Sequence, residues 1–218
     1  MTREAYLIQQ TASFVEQRLK GAEGGHDWWH ILRVWNNTKL ILEHEEADAL
    51  VCELTALLHD IADSKFHGGD EEIGPRIAGE FLHSIGLEPE RVLHVQQIIR
   101  NMSYKASLGK LDFHSKELEL VQDADRLDAI GAMGIARAFH YGGFKNREIY
   151  NPEIPFVEGL SKEAYKNSTA PSINHFYEKL LLLKDKMNTP TAKRIAADRH
   201  AFMLSYLEQF YAEWEGKR

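Results

Sequence analysis

Histidine and aspartate stand side by side in this chain within a stretch that otherwise reads as a buried helix. In ALLHDIADSK, residues 56–65, His59 and Asp60 sit within a run in which Leu50, Leu54, Leu57, Leu58 and Ile61 recur at helical spacing. A buried helix face does not accept an ionisable pair without a partner. Two further clusters interrupt apolar helical stretches in the same way, HDWWH at 26–30 and DADRLD at 123–128. A divalent metal ion would satisfy all three clusters at once. His30, His59, Asp60 and Asp125 are therefore read as one metal site assembled from three helices. Taken alone, His59 and Asp60 could equally form a buried ion pair, and His30 alone could be a satisfied core histidine. Four ligands, two nitrogens and two carboxylate oxygens, leave open positions on a six-coordinate ion for water and a substrate oxygen.

The surrounding periodicity is helical throughout. It predicts helices over residues 3–20, 28–45, 47–63, 72–85, 88–103, 115–140, 172–187 and 190–214. Asp27 is placed to cap the second of these, Pro89 and Thr189-Pro190 to start two others, and Gly86 and Asn188 to end their predecessors. Gly131 and Gly134 would bend the long sixth helix or let it pack closely. Residues 141–161, YGGFKNREIYNPEIPFVEGLS, read as a long loop, and loops of that length are often lids. No strand, internal repeat or low-complexity segment stands out. The expected fold is all-α, a single domain over residues 1–218 with roughly eight helices.

Composition excludes several classes. The 218 residues are 44% hydrophobic and 27% charged, ordinary for a soluble globular protein. The formal net charge of −7 argues against general nucleic-acid binding, which draws its affinity from phosphate neutralisation by basic residues. A small ligand is the better expectation. Cys52 is the one cysteine, so no intrachain disulfide forms and a reducing, cytoplasmic compartment fits. No apolar run approaches the roughly 18 residues a membrane span needs. A homodimer is compatible with the composition, although no interface stripe stands out.

The order H…HD…D, carried by HDWWHILRV, LLHDIADSK and QDADRLDAIGA, resembles the HD-domain metal-dependent phosphohydrolase superfamily. It is similar in particular to the small stand-alone bacterial YedJ/YpgQ-like group. The likeness extends to VQQIIRNMSYK, the YGGFKNREIYNP loop and the terminal SINHFYEKLLLLKDKMNTPTAKRIAADRHAFM. The resemblance implies an HD-domain fold with His30, His59, Asp60 and Asp125 as metal ligands. It also implies a phosphate ester or anhydride as target. The close group implies a (deoxy)nucleoside triphosphate hydrolysed to monophosphate and pyrophosphate by a metal-activated water. Manganese is the favoured ion, with Mg, Fe, Ni, Co or Zn as alternatives.

Asp63 follows His59 and Asp60 at i+4 and i+3, one helical turn on, where it would orient or deprotonate the water. Some enzymes of the superfamily carry a carboxylate at the matching place, usually the longer Glu. A polyphosphate also needs cations. Lys65 and Lys105 are the better candidates for phosphate contacts, with Arg33, Arg126 and His26 as further substrate-binding candidates. Asp27 reads as a cap rather than a ligand, and Cys52 as a buried thiol. Trp28, Trp29 and Trp35 read as core or pocket wall. Asp128 could support the ligands or form a structural ion pair, and Lys145 and Arg147 could close over a nucleotide.

Other readings stay open. The same ligands would serve a nucleoside monophosphate phosphatase or a phosphodiesterase. The extra histidines and GYP-type signature of cyclic dinucleotide phosphodiesterases are absent, and HDIADS stands where alarmone hydrolases usually carry a Glu-Asp pair. A non-catalytic nucleotide sensor would be expected to have lost a ligand. A two-iron oxidase would need further histidine and carboxylate ligands.

Overall fold

The computed structural model describes residues 1–21, 27–62, 70–102, 113–159 and 168–218. Among these residues there is no strand, and nine α-helices and one 3₁₀ helix account for the regular structure. The fold is all-α, as the periodicity predicts. Contacts divide the chain into two compact units, Met1–Asp125 and Arg126–Arg218.

The first unit is built on α3 (Ala49–Leu58), eight of whose ten residues are buried. Asp48 caps it by accepting the Val51 N–H at 3.2 Å. Three helices pack on α3: α1 (Arg3–Arg18), α2 (Trp28–Leu42) and α5 (Pro89–Met102). Helix α1 turns Leu7, Thr11 and Val15 inward, a spacing of four that keeps them on one face. Helix α2 buries His30, Ile31, Val34, Asn37, Thr38 and Ile41. Helix α4 (Ile73–Ser84) packs on α5 and stacks its Phe81 on Phe14 of α1, ring centroids 4.0 Å apart. Gly86, at φ +79°, makes the turn between α4 and α5 that a side chain would strain. Helix α6 (Lys116–Asp128) completes this unit up to Asp125.

In the second unit, α7 (Gly131–Phe144) packs on α9 (Pro190–Trp214), with the short α8 (Asn174–Glu178) and the 3₁₀ helix Leu180–Lys186 preceding α9. Phe139 of α7 meets Phe176 and Tyr206 at 6.0 and 6.2 Å between ring centroids. Thr189 caps α9 by accepting the Ala192 N–H at 3.2 Å, with Pro190 opening the helix.

Four expectations about elements are corrected. The helix expected over 47–63 ends at Leu58. His59 is its C-cap, and the next turn tightens to an i+3 hydrogen bond from Ile61 N–H to the Leu58 carbonyl at 3.1 Å. Ile61 stays buried, so the apolar period runs past the helix end and conceals it. The helix expected over 115–140 is two helices. Gly131, at φ +72°, breaks the chain between α6 and α7, and the Ala129 carbonyl oxygen lies where a Cβ on Gly134 would sit. Residues 141–144 belong to α7 rather than to the loop that follows. The helix expected over 172–187 is α8 plus the 3₁₀ segment, because Lys179 leaves helical geometry at φ −146°.

Gly134→Ala should cost about 1–3 kcal/mol through overlap with the Ala129 carbonyl, lowering Tm by several degrees in thermal melts followed by circular dichroism. Gly143→Ala is the control. Nothing lies within 4 Å of its Cβ position in the same helix, so Tm should hold or rise.

Candidate metal centre

The sequence brings His30 to the site through a helix start. Asp27 accepts the His30 backbone N–H at 2.9 Å, the N-cap bond of α2. His30 then shares the buried face of α2 with Val34, Thr38 and Ile41. His59 arrives at a helix end. Its Nδ1 lies 2.9 Å from the Ala56 carbonyl oxygen, which can only accept. Nδ1 therefore carries the proton and Nε2 presents a lone pair, the tautomer a metal ligand needs.

Three donor atoms converge, and an oxygen of Asp125 lies beside one of them. His59 Nε2 lies 3.3 Å from His30 Nε2. Asp60 Oδ2 is 3.6 Å from both imidazole nitrogens. Asp125 Oδ1 is 3.6 Å from His30 Nε2. His30, His59 and Asp60 each place one donor atom within 4.8 Å of the others. The contacts at 3.6 Å are too long for hydrogen bonds. Ligands about 2.1 Å from one ion stand roughly 3.0–3.5 Å apart, close to the spacing seen. Mixed imidazole and carboxylate donors fit a first-row divalent ion. The imidazoles form the floor, with side chains 3% and 4% exposed, and the carboxylates the rim, at 30% for Asp60 and 42% for Asp125. All four residues belong to the first unit.

The ending of α3 at Leu58 changes how the pair is presented. Consecutive residues on a helix diverge by about 100°. Asp60 lies in the turn after the C-cap, and its carboxylate meets the His59 imidazole from there.

Of the remaining candidates, Arg33 is half-buried on α2. The Arg126 guanidinium donates to the Lys186 carbonyl. His26, Asp63, Lys65 and Lys105 lie outside the described residues. Asp128 is buried in an ion pair with Arg137 at 2.5 Å, the structural alternative for that residue. Trp29 is not core, being 63% exposed. Trp35 is half-buried, its indole N–H donating to Glu53 at 2.8 Å and its ring lying under Lys39. Cys52 is fully buried, and burial, reinforced by Glu117, Asp48 and Glu53, pushes its thiol far above the ordinary range. Burial, with Lys179 and Arg147 nearby, holds His175 down at about 3, so it is neutral at pH 7. Asn37, buried on the His30 face of α2, is not among the residues the sequence singles out. Its signal is an amide seven positions after His30, on a face it shares with Val34, Thr38 and Ile41.

The HD domain family matches residues 28–130, which include His30, His59, Asp60 and Asp125. An HD-superfamily hydrolase from Bacillus thuringiensis has a similar structure, with TM-score 0.78 and 42% identity over 97% of this chain and 98% of that one. The chain belongs to the HD-domain superfamily of hydrolases. YpgQ of Bacillus subtilis is 37% identical over 98% of this HD-domain chain and 97% of its own. The structure of YpgQ in complex with ADP superposes with TM-score 0.77 and 35% identity, covering 97% of each chain. No described helix of this HD-domain protein is long and apolar enough to cross a membrane.

His59→Ala and Asp60→Ala should each weaken Mn²⁺ binding by more than about 100-fold, beyond the loss typical of an outer partner. Isothermal titration calorimetry reads the affinity and far-ultraviolet circular dichroism the helices. Wild-type affinity in both folded variants would remove these residues from the ligand set.

Proposed function

We propose that this HD-domain protein is a divalent-metal-dependent nucleotide phosphohydrolase that converts (deoxy)nucleoside triphosphates to monophosphate and pyrophosphate. The convergence of two nearly buried imidazoles with the partly exposed Asp60 carboxylate, and the Asp125 carboxylate beside His30, support the metal-dependent part of this reading. The nucleotide part is supported by the resemblance to the YedJ/YpgQ-like group and by the ADP bound to YpgQ. The near-complete alignment with YpgQ supports residues 1–218 acting as one domain.

His30, His59, Asp60 and Asp125 would hold the ion, with Mn²⁺ favoured. When bound, it supplies a lowered pKa for a water and countercharge for a phosphoryl oxygen. The two rim carboxylates leave the open side of the site facing substrate. Asp63 would take the proton of the water attacking the α-phosphorus, as the α–β anhydride bond breaks and pyrophosphate leaves with the bond electrons. Lys65 and Lys105 would meet the polyphosphate, assisted by Arg33, His26 and Arg126.

The test is release of phosphate versus pyrophosphate from nucleoside and deoxynucleoside mono-, di- and triphosphates with Mn²⁺. Pyrophosphate from triphosphates, abolished in His59→Ala and Asp60→Ala, is the expected result. Phosphate from monophosphates would replace the reading with a nucleotidase. No turnover with any divalent metal would overturn it.

A further inference from the structure

Asp125 raises a question that the donor set does not answer. Its side chain is 42% exposed, so packing around the carboxylate does little to hold it 3.6 Å from His30. Its position must come from where the backbone of α6 stands against α2. Asn37 makes that connection. It is buried on α2, seven residues after His30, hence about 10.5 Å along the same face. Its Nδ2 donates to the Ala124 carbonyl at 3.0 Å, a hydrogen bond spanning 87 residues of sequence. That oxygen lies in the planar peptide unit that also contains the nitrogen and Cα of Asp125. One helix therefore carries a ligand, His30, and an anchor for the backbone of another ligand, Asp125.

We infer that Asn37 is a positioning residue of the metal centre: by holding the Ala124 carbonyl, it fixes the Cα of Asp125 opposite His30 and so sets the affinity for the divalent ion. The inference rests on the metal-site reading proposed above. Its rival is a buried amide that contributes only to folding. Thr38, the next residue, provides the comparison. It too is buried, but its hydroxyl donates within its own helix, to the Val34 carbonyl at 3.0 Å. Losing that bond weakens α2 without touching α6.

Asn37→Asp keeps the shape of the side chain but turns an acceptor toward the Ala124 carbonyl. Asn37→Ser, shorter and uncharged, serves if the first variant does not fold. Mn²⁺ affinity by isothermal titration calorimetry and Tm of the metal-free protein are measured for both and for Thr38→Val. The Asn37 variants should bind Mn²⁺ about tenfold more weakly or worse, near the range for lost outer partners. Thr38→Val should lower the metal-free Tm and leave Mn²⁺ affinity unchanged. Folded Asn37 variants that bind Mn²⁺ as wild type does would overturn the inference, and nucleotide hydrolysis by the wild type would still stand. Weakened Mn²⁺ binding in a protein that hydrolyses no nucleotide would uphold the positioning role and remove only the substrate assignment.

Discussion

The burial of α3 is the constraint on which the first unit depends. A helix with eight of ten residues buried is stable only when other helices cover it on several sides, as α1, α2 and α5 do. Each fully buried Leu or Val contributes about 1.5–3 kcal/mol. A helix so enclosed has a difficulty at its C-terminus, where the last four carbonyls lack intrahelical donors. His59 meets part of that need by donating from Nδ1 to the Ala56 carbonyl. The same bond fixes the imidazole tautomer and turns Nε2 toward His30 and Asp60. Closing the helix end and preparing a ligand are one interaction here.

The HD dipeptide and the distant His were legible as a cluster able to hold a metal because ionisable residues in apolar helical runs need a partner, and the structure brings His30, His59 and Asp60 together. The helix starts at Asp27 and Thr189 were legible too, since caps are local chemistry. Ends were harder. Ile61 continues the apolar period of α3 beyond its last helical residue, so a pattern of buried positions cannot report where helical geometry stops. The break between α6 and α7 depends on a positive φ at Gly131 and on crowding at Gly134. Composition signalled that only as two glycines in a helical pattern. Trp29 shows the converse limit. Its size suggests burial, yet it follows Trp28 and precedes His30 on a helix with one buried face, and the face taken by His30 leaves Trp29 outside.

The second unit solves its own terminal problem with arginines. Arg199 donates to the Leu127 carbonyl at 2.5 Å, and Arg137 reaches both the carboxylate and the carbonyl of Asp128. Cations at a helix C-terminus are favoured by the partial negative charge there. The side chain of Arg199 also lies against Gly131, where a Cβ would come within 3.0 Å of it. The glycine that breaks the helix thus leaves room for an arginine that caps it. This accounts for Asp128 pairing with Arg137, although the DADRLD spacing alone also allowed a role beside the ligands.

Charge at the metal centre limits what it can do alone. With the proposed ligand set, two imidazoles and two carboxylates around a divalent ion would sum to about zero and would exert little net attraction on a polyphosphate. The chain as a whole, at −7, repels one. Affinity for a nucleoside triphosphate must therefore come from cations beyond the ligand set. The nearly buried imidazoles would offer no such charge as ligands, which makes Lys65 and Lys105 necessary to the proposed reading. A phosphomonoester carries less charge and asks less of them. On the proposed reading, the number of cations meeting substrate, more than the ligand set, would separate a triphosphate hydrolase from a monophosphatase built on the same donors.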